Sequence, residues 1–119
     1  MTGHSDFTED EVDAVRRFYD FTIAKEDRVA RLMELELYDR DWLNDRGKAI
    51  RKMLEGPRKG SKEEIAALSR NYGARTQEEE TAAKQHLLAL NLAYVSANGG
   101  IFLNIRGEML QNEQFKIYR

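Results

Sequence analysis

The chain has 119 residues, a formal net charge of −2 and 41% hydrophobic residues, which fits one domain with a core of its own and excludes extensive disorder. It contains no cysteine, so disulfides, zinc–thiolate sites and thiol redox switches are excluded. No signal peptide and no apolar run of membrane-spanning length is visible. We therefore expect a cytoplasmic protein without membrane contact.

Charge is distributed unevenly along the sequence. Residues 1–45 carry 13 acidic and 6 basic residues, residues 46–75 carry 3 and 9, and residues 76–119 carry 5 and 4. The middle block, at +6, is the only basic part of the chain. Such a block favours binding of phosphate groups, and the alternative is an ordinary solvated face.

The first predicted element is one long helix. Thr8 to Glu11 form a capping box, and no glycine or proline interrupts the following residues as far as Leu37. Its aromatic and branched residues spread around most of the helix circumference, which favours burial by a partner subunit. The alternative is a helix that crosses a monomeric core. We predict residues 1–41 as a dimerisation element, with the interface candidates Val15, Phe18, Tyr19, Phe21 and Ile23.

Three shorter helices are predicted next. The first runs from about Trp42 to Leu54, with Gly47 inside it, and ends at the glycine- and proline-containing segment 55–60. A second capping box at Ser61 begins a helix that stops at Gly73, a natural left-handed residue. A third capping box at Thr76 begins a helix to about Asn91. The short connection between the last two is typical of a helix-turn-helix.

A β-hairpin follows. Asn98-Gly99 tolerates the positive φ that both centres of a tight primed turn need. On the second arm Ile101, Leu103 and Ile105 alternate with Phe102 and Asn104, as in a strand with one face on a core. We expect Gly107 to provide the exit turn before a short C-terminal helix. The predicted fold class is mainly α with a small β-hairpin.

Segments 61–72, 76–91, 92–95 and 101–108 together resemble the winged helix-turn-helix transcription regulators of the MarR and PadR type. The likeness covers roughly residues 42–112, so residues 42–119 are predicted to be a winged helix-turn-helix DNA-binding domain. The resemblance implies a homodimer that presents two recognition helices to successive major grooves of a pseudo-palindromic operator. Its implied partners are double-stranded DNA and a second copy of the chain, and any effector ligand is unknown.

The resemblance also assigns residues. Those expected to contact base edges, on the outer face of the last long helix, are Gln77, Thr81, Lys84 and Gln85. Those expected to contact DNA phosphates are Arg58, Lys59, Lys62, Arg70, Arg75 and Arg106. The wing tip is represented by Asn98 and Gly99. For each of the base-contact residues the alternative is an ordinary solvated helix face.

Two features favour a different function. Glu78, Glu79 and Glu80 lie in the first turn of the predicted recognition helix, and the wing tip has no arginine or lysine. Both suit a winged helix that binds a protein, such as an accessory factor or inhibitor. An enzyme is not expected, since neither His4 nor His86 has a nucleophile or carboxylate pair near it in a recognisable arrangement. We predict no metal and no cofactor.

Overall fold

A computed structural model describes residues 6–115, and His4 lies outside them. The described residues form a mainly α protein with two small antiparallel hairpins. The chain divides into two compact units, Met1–Leu54 and Glu55–Arg119. The first unit comprises α1 (Glu9–Phe18), α2 (Lys25–Glu34), β1 (Tyr38–Asp39), β2 (Trp42–Leu43) and all of α3 (Asp45–Glu55) except its last residue, Glu55. The second comprises α4 (Lys62–Tyr72), α5 (Gln77–Ala89), β3 (Ala93–Val95), β4 (Ile101–Leu103) and α6 (Ile105–Phe115).

The predicted long N-terminal helix is wrong, because the chain leaves helical geometry after Phe18. Asp20 accepts hydrogen bonds from the N–H and the hydroxyl of Thr22 at 3.0 and 2.6 Å, which closes a local turn. Arg28 then donates to the carbonyl oxygens of Phe18 and Ile23 at 2.6 and 2.9 Å and fastens α1 to α2. These bonds end the helix without any glycine or proline, which is why residue types alone did not reveal the break.

The region around Trp42 also differs from the prediction. Trp42 lies in a strand, where Tyr38 pairs with Leu43 and Asp39 pairs with Trp42. The following helix begins only at Asp45, after Asn44, whose Oδ1 accepts the N–H of Gly47 at 2.9 Å. The two-residue loop between the strands has Arg40 at a φ of +64°. A hairpin this short has little periodicity to detect.

The two helices predicted from the capping boxes at Ser61 and Thr76 are confirmed as α4 and α5. Ser61 and Thr76 each accept the N–H of a glutamate three residues on, so both predicted capping boxes are present. Gly73 ends α4 with a φ of −95°, and not in the left-handed conformation that was expected. The short connection to α5 is as predicted. The core lies between α4, α5, the hairpin and α6, and its buried members are Ala67, Leu68, Leu87, Leu92, Ala93 and Leu110.

The one predicted hairpin is confirmed as β3 and β4, the second hairpin of the chain, but its turn and its end differ from the prediction. Only Gly99 has positive φ, at +91°, and the N–H groups of Ser96 and Gly99 bond to Gly100 O and Ser96 O at 2.7 and 3.0 Å. The loop therefore has three residues, with a glycine at the left-handed position, and is not a two-residue primed turn. Ile105 begins α6 instead of extending β4. Gly107 lies inside the first turn of α6 and makes no exit turn.

The two units share one plan: two helices, a hairpin and a third helix. The predicted boundary between residues 41 and 42 would separate β1 from β2 and α3. The observed boundary after Leu54 keeps these elements together in the first unit. The sequence Leu-Asn-x-Arg-Gly occurs at the start of both third helices, at 43–47 and 103–107. Asn104 accepts the N–H of Gly107 at 2.8 Å, as Asn44 does from Gly47.

Neither glycine can be replaced without displacing backbone. A Cβ on Gly47 would lie 2.6 Å from the carbonyl oxygen of Leu37, and one on Gly107 would lie 2.1 Å from that of Leu92. In both units the third helix therefore approaches the chain that enters the hairpin too closely for a side chain. The same two carbonyl oxygens accept the N–H groups of Asn44 and Asn104 at 3.0 Å.

The repeated arginine fastens the third helix to the first in each unit. Arg46 donates to both carboxylate oxygens of Glu11 at 2.8 and 3.0 Å, and Arg106 donates to both of Glu64 at 2.9 Å. Each glutamate also completes the capping box of its own helix. One carboxylate thus serves the helix start and the helix-to-helix contact in both units.

Candidate nucleic-acid interface

α5 is the candidate recognition helix, and its start is well anchored. Thr76 Oγ1 accepts the N–H of Glu79 at 3.1 Å, while Glu79 accepts the N–H groups of Arg75 and Thr76 at 2.9 and 3.2 Å. These backbone bonds lower the pKa of Glu79. Ala83 and Leu87 are buried and hold the helix on the core of the second unit. The opposite side of α5 is exposed to solvent.

The base-contact candidates form a stripe on that side. Gln77, Thr81 and Gln85 are exposed, and Lys84 is half-buried. Their spacing of four, three and one residues brings them close together on the helix surface. Lys84 Nζ lies 3.8 Å from Glu80 Oε1, one turn earlier. The structure therefore brings the four side chains together, with the lysine partly neutralised by Glu80.

Four of the six phosphate candidates are exposed cations. Lys59, Lys62, Arg70 and Arg75 have no carboxylate within ion-pair distance among residues 6–115. Lys59 and Lys62 flank the start of α4. Arg70 and Arg75 flank the turn that leads into α5. The fifth candidate, Arg58, is exposed and pairs with Glu113.

Arg106, the sixth candidate, has a structural role. Besides its two bonds to Glu64, it donates to the carbonyl oxygens of Glu55 and Pro57 at 2.7 and 2.8 Å. Its side chain is 19% exposed. The hydrogen bond from Arg106 is the main reason that the pKa of Glu64 is lowered. All of its strong donors are directed into its own unit, so Arg106 is not grouped with the exposed cations.

The three glutamates at the start of α5 differ in their surroundings. Glu79 completes the cap, and Glu80 lies beside Lys84. Glu78 is exposed, and no ion pair involves it within the described part of the chain. Glu79 and Glu80 therefore have local partners. The partial positive charge at the helix N-terminus stabilises all three carboxylates, including that of Glu78.

The wing tip offers an amide and backbone groups. Asn98 Oδ1 accepts the N–H of Gly100 at 3.0 Å and the Ser96 hydroxyl at 2.5 Å, so the loop is braced internally. Along the strands, Val95 and Phe102 are 59% and 47% exposed. Phe102 contacts Tyr94, with ring centroids 6.3 Å apart. The hairpin thus presents an apolar surface behind an uncharged tip.

The predicted dimer residues are distributed differently from the expectation. Val15 and Phe18 are buried within the chain, and Tyr19 and Ile23 are half-buried. Phe18 packs edge-on against the rings of Tyr19, Tyr38 and Trp42, at 5.2 to 5.9 Å between centroids. Phe21 is 76% exposed, with the guanidinium of Arg28 4.8 Å from its ring centre. Among the five candidates, Phe21 alone is broadly accessible to a partner.

Sequence reasoning missed two exposed cations in the first unit, Lys48 and Lys52 on α3. The signal was present, because both belong to the basic block 46–75. They were left out because the phosphate candidates were taken from residues just before and within the predicted helix-turn-helix. The unit boundary divides the block after Leu54.

Comparison with known proteins finds no matching family model, no matching curated protein and no matching solved structure. Among the residues that the structure describes, no helix has the length and apolar character needed to cross a membrane.

Proposed function

We propose that the protein is a cytoplasmic transcription regulator of the winged helix-turn-helix type, and that its second unit binds duplex DNA through α5. The observation that supports this most is the combination of a capped α4–turn–α5 motif with exposed, unpaired cations at both ends of α4. Phosphate contacts supply most of the affinity of such an interface and fix its register on the duplex.

In this proposal the cations and the polar stripe have separate roles. Lys59, Lys62, Arg70 and Arg75 neutralise phosphates. Gln77 and Gln85 suit the paired donor and acceptor of adenine, and Thr81 bonds either base edge. Lys84 turns from Glu80 toward guanine or a phosphate. A solvent-exposed ion pair of this kind is worth only about 0.2–1 kcal/mol, so the exchange costs little.

We propose in addition that two copies of the chain bind a pseudo-palindromic operator as a homodimer, with half-sites about one duplex turn apart. The support for this is the presence of two exposed apolar side chains in the first unit, Phe21 and Met33, which are 76% and 61% exposed. Sedimentation of the wild type and of Phe21→Ser over a range of concentrations tests it. A wild type that stays monomeric on and off DNA would contradict the dimer.

A second candidate function is binding of a protein partner through the wing. It is favoured by the exposed Val95 and Phe102, by the uncharged wing tip and by the carboxylate of Glu78. An apolar interface of this kind loses little affinity as salt rises, whereas DNA binding weakens steeply and log-linearly. Salt dependence therefore distinguishes the two functions.

The test is selection of fragments from the source genome by the purified protein, followed by fluorescence anisotropy titration of the bound duplexes at several salt concentrations. We expect an enriched inverted repeat, and a steep salt slope that Arg70→Ala or Arg75→Ala each reduces by about 0.9. Arg17→Ala is the matched control, because Arg17 lies in the last turn of α1 as Arg70 does in α4 and pairs with Asp13. Absence of enrichment and of salt-sensitive binding would overturn the DNA-binding proposal and favour the protein partner.

A further inference from the structure

We infer that the first unit adds a DNA contact of its own, made by Lys48 and Lys52 on α3. This inference rests on the proposed DNA binding and extends it to a surface that the α4–α5 motif does not include. It starts from the four basic residues that α3 carries within one stretch, Arg46, Lys48, Arg51 and Lys52.

Two of these four cations are accounted for by the fold of the first unit. Arg46 bonds Glu11 through two nitrogens and donates to the carbonyl oxygen of Asp6 at 2.8 Å. Arg51 lies over the ring of Tyr19, 5.4 Å from its centroid. Lys48 and Lys52 are exposed and form no ion pair with any carboxylate in residues 6–115.

The fold of the first unit does not account for these two lysines. They lie one turn apart on one face, where their like charges repel. Asp45 and Glu55, each three residues from one of them, offset part of that repulsion without forming an ion pair with either. The third helix of the second unit, built on the same plan, has Glu108 and Asn112 at the equivalent positions after its Leu-Asn-x-Arg-Gly segment. The shared fold therefore does not require a lysine at either place, and the pair is better explained by a polyanionic partner.

Duplex DNA is the polyanion that the second unit is proposed to bind. Lysine is well suited to this contact, because its ammonium is a compact charge on a flexible stem that meets phosphates without a fixed geometry. The first unit is otherwise rich in acidic residues, and Lys48 and Lys52 are the cations of α3 that remain available to a polyanion. The basic block 46–75 is then one functional feature carried by both units.

The test replaces each lysine, in the full-length chain, with the residue at the equivalent position of α6, Glu108 or Asn112. Lys48→Glu, Lys52→Asn and the double variant are titrated against a labelled duplex carrying the selected repeat, or a mixed-sequence duplex of about three helical turns. The charge-matched control is Lys25→Glu, since Lys25 is an exposed lysine of the same unit at the start of α2.

We expect each α3 variant to bind the duplex on the order of tenfold more weakly at 0.1 M salt and to reduce the salt slope by about 0.9, with the two effects adding in the double variant. Lys48→Glu should change the melting temperature little, because it gains an attraction to Lys52 at i, i+4 and loses one to Asp45 at i, i−3. Weaker binding by a protein of undiminished stability would separate a contact from a folding defect.

Two results would overturn the inference in distinguishable ways. If the wild type binds with a salt slope that Arg75→Ala reduces, while both α3 variants match Lys25→Glu, the α3 contact is wrong and the proposed function stands. If the wild type shows no salt-sensitive binding to any duplex, the proposed function is wrong and the α3 contact is wrong with it.

Discussion

The two units solve the same structural problem with different residues. Each fastens its third helix with an asparagine, an arginine and a glycine in the same order, and each arginine reaches the capping glutamate of its first helix. They differ where the first helix meets the second. The second unit has a short turn with a threonine cap, whereas the first has a longer link without a side-chain cap, held by Arg28. The shared arrangement therefore requires the asparagine, arginine and glycine of the third helix, whereas the link between the first two helices is specific to each unit.

The largest expected effect comes from the two repeated glycines. Gly107→Ala should destabilise the second unit by about 3 kcal/mol, and Gly47→Ala the first by about 2 kcal/mol, because each methyl would overlap a backbone carbonyl. Urea denaturation followed by circular dichroism measures both changes. Gly73→Ala is the control, since a Cβ there meets only Ser69 O, at 3.5 Å. A harmless alanine at Gly47 or Gly107 would mean that the third helix is not held as closely as described.

Next in size is the loss of a repeated arginine. Arg106→Ala removes an arginine that is 19% exposed and that bonds Glu64 and two carbonyl oxygens, for an expected cost of about 2 kcal/mol. Arg46→Ala should cost less, about 1 kcal/mol, since Arg46 is 45% exposed and solvent screens its pair with Glu11. Thermal and urea denaturation of both variants compare the units directly. Equal costs would show that burial does not distinguish the two pairs.

The same pairs predict how stability depends on pH. The hydrogen bond from Arg46 lowers the pKa of Glu11 to about 2, and Arg106 lowers that of Glu64. A lowered folded-state pKa gives stability that is complete above the unfolded value of about 4.3 and is lost as pH falls toward the folded value. Urea midpoints should therefore fall between pH 5 and about 2. Glu11→Gln should reduce that slope, and an unchanged slope would contradict the assigned role of Glu11.

A smaller effect is expected where the units diverge. Arg28 lies in α2 four residues before the buried Leu32, and Ala83 occupies the matching place in α5 before Leu87. Arg28→Ala should destabilise the first unit by about 1–2 kcal/mol, because two carbonyl oxygens lose their charged donor. Trp42 is the only tryptophan, so its fluorescence follows this unit. Arg31→Ala is the control, since Arg31 bonds exposed carboxylates only. A change no larger than that of the control would show that Arg28 does not hold the link.

A structural feature could be predicted from the sequence when the hydrogen bonds that form it join residues close together in the chain. The capping boxes at Thr8, Ser61 and Thr76 were predictable, because a cap joins residues three apart. The break after Phe18 was not, since it depends on a side chain ten residues away, that of Arg28. The repeat was visible in principle, as Leu-Asn-x-Arg-Gly appears twice. It was missed because each copy was interpreted by local periodicity: one glycine as a helix defect, the other as a turn.

The sequence also limited the prediction of which cations of the candidate site are available to a partner. A pattern identifies a cation but not its partner. Arg75 and Arg106 are both single arginines near the motif, yet one is exposed and the other donates to Glu64 and to two carbonyl oxygens. Lys48 was left out because it lies away from the predicted motif in the sequence. Charge counts therefore located the basic block, and the long-range contacts decided which of its members are available.

The smallest expected effect concerns the residue just after the C-cap of the second helix in each unit. Glu36 and Asn91 have φ values of +58° and +62°, and the next residue of each bonds back to Leu32 O or Leu87 O at 2.8 and 2.9 Å. Both helices thus end in the same left-handed motif, but only asparagine adopts that conformation readily. Glu36→Asn should therefore stabilise the first unit by about 0.5–1 kcal/mol. Asn91→Glu should destabilise the second by a similar amount, measured by hydrogen exchange at Leu92 N–H. If both substitutions shifted stability in the same direction, the two helix ends would not be equivalent, and the shared plan would extend only to the third helices.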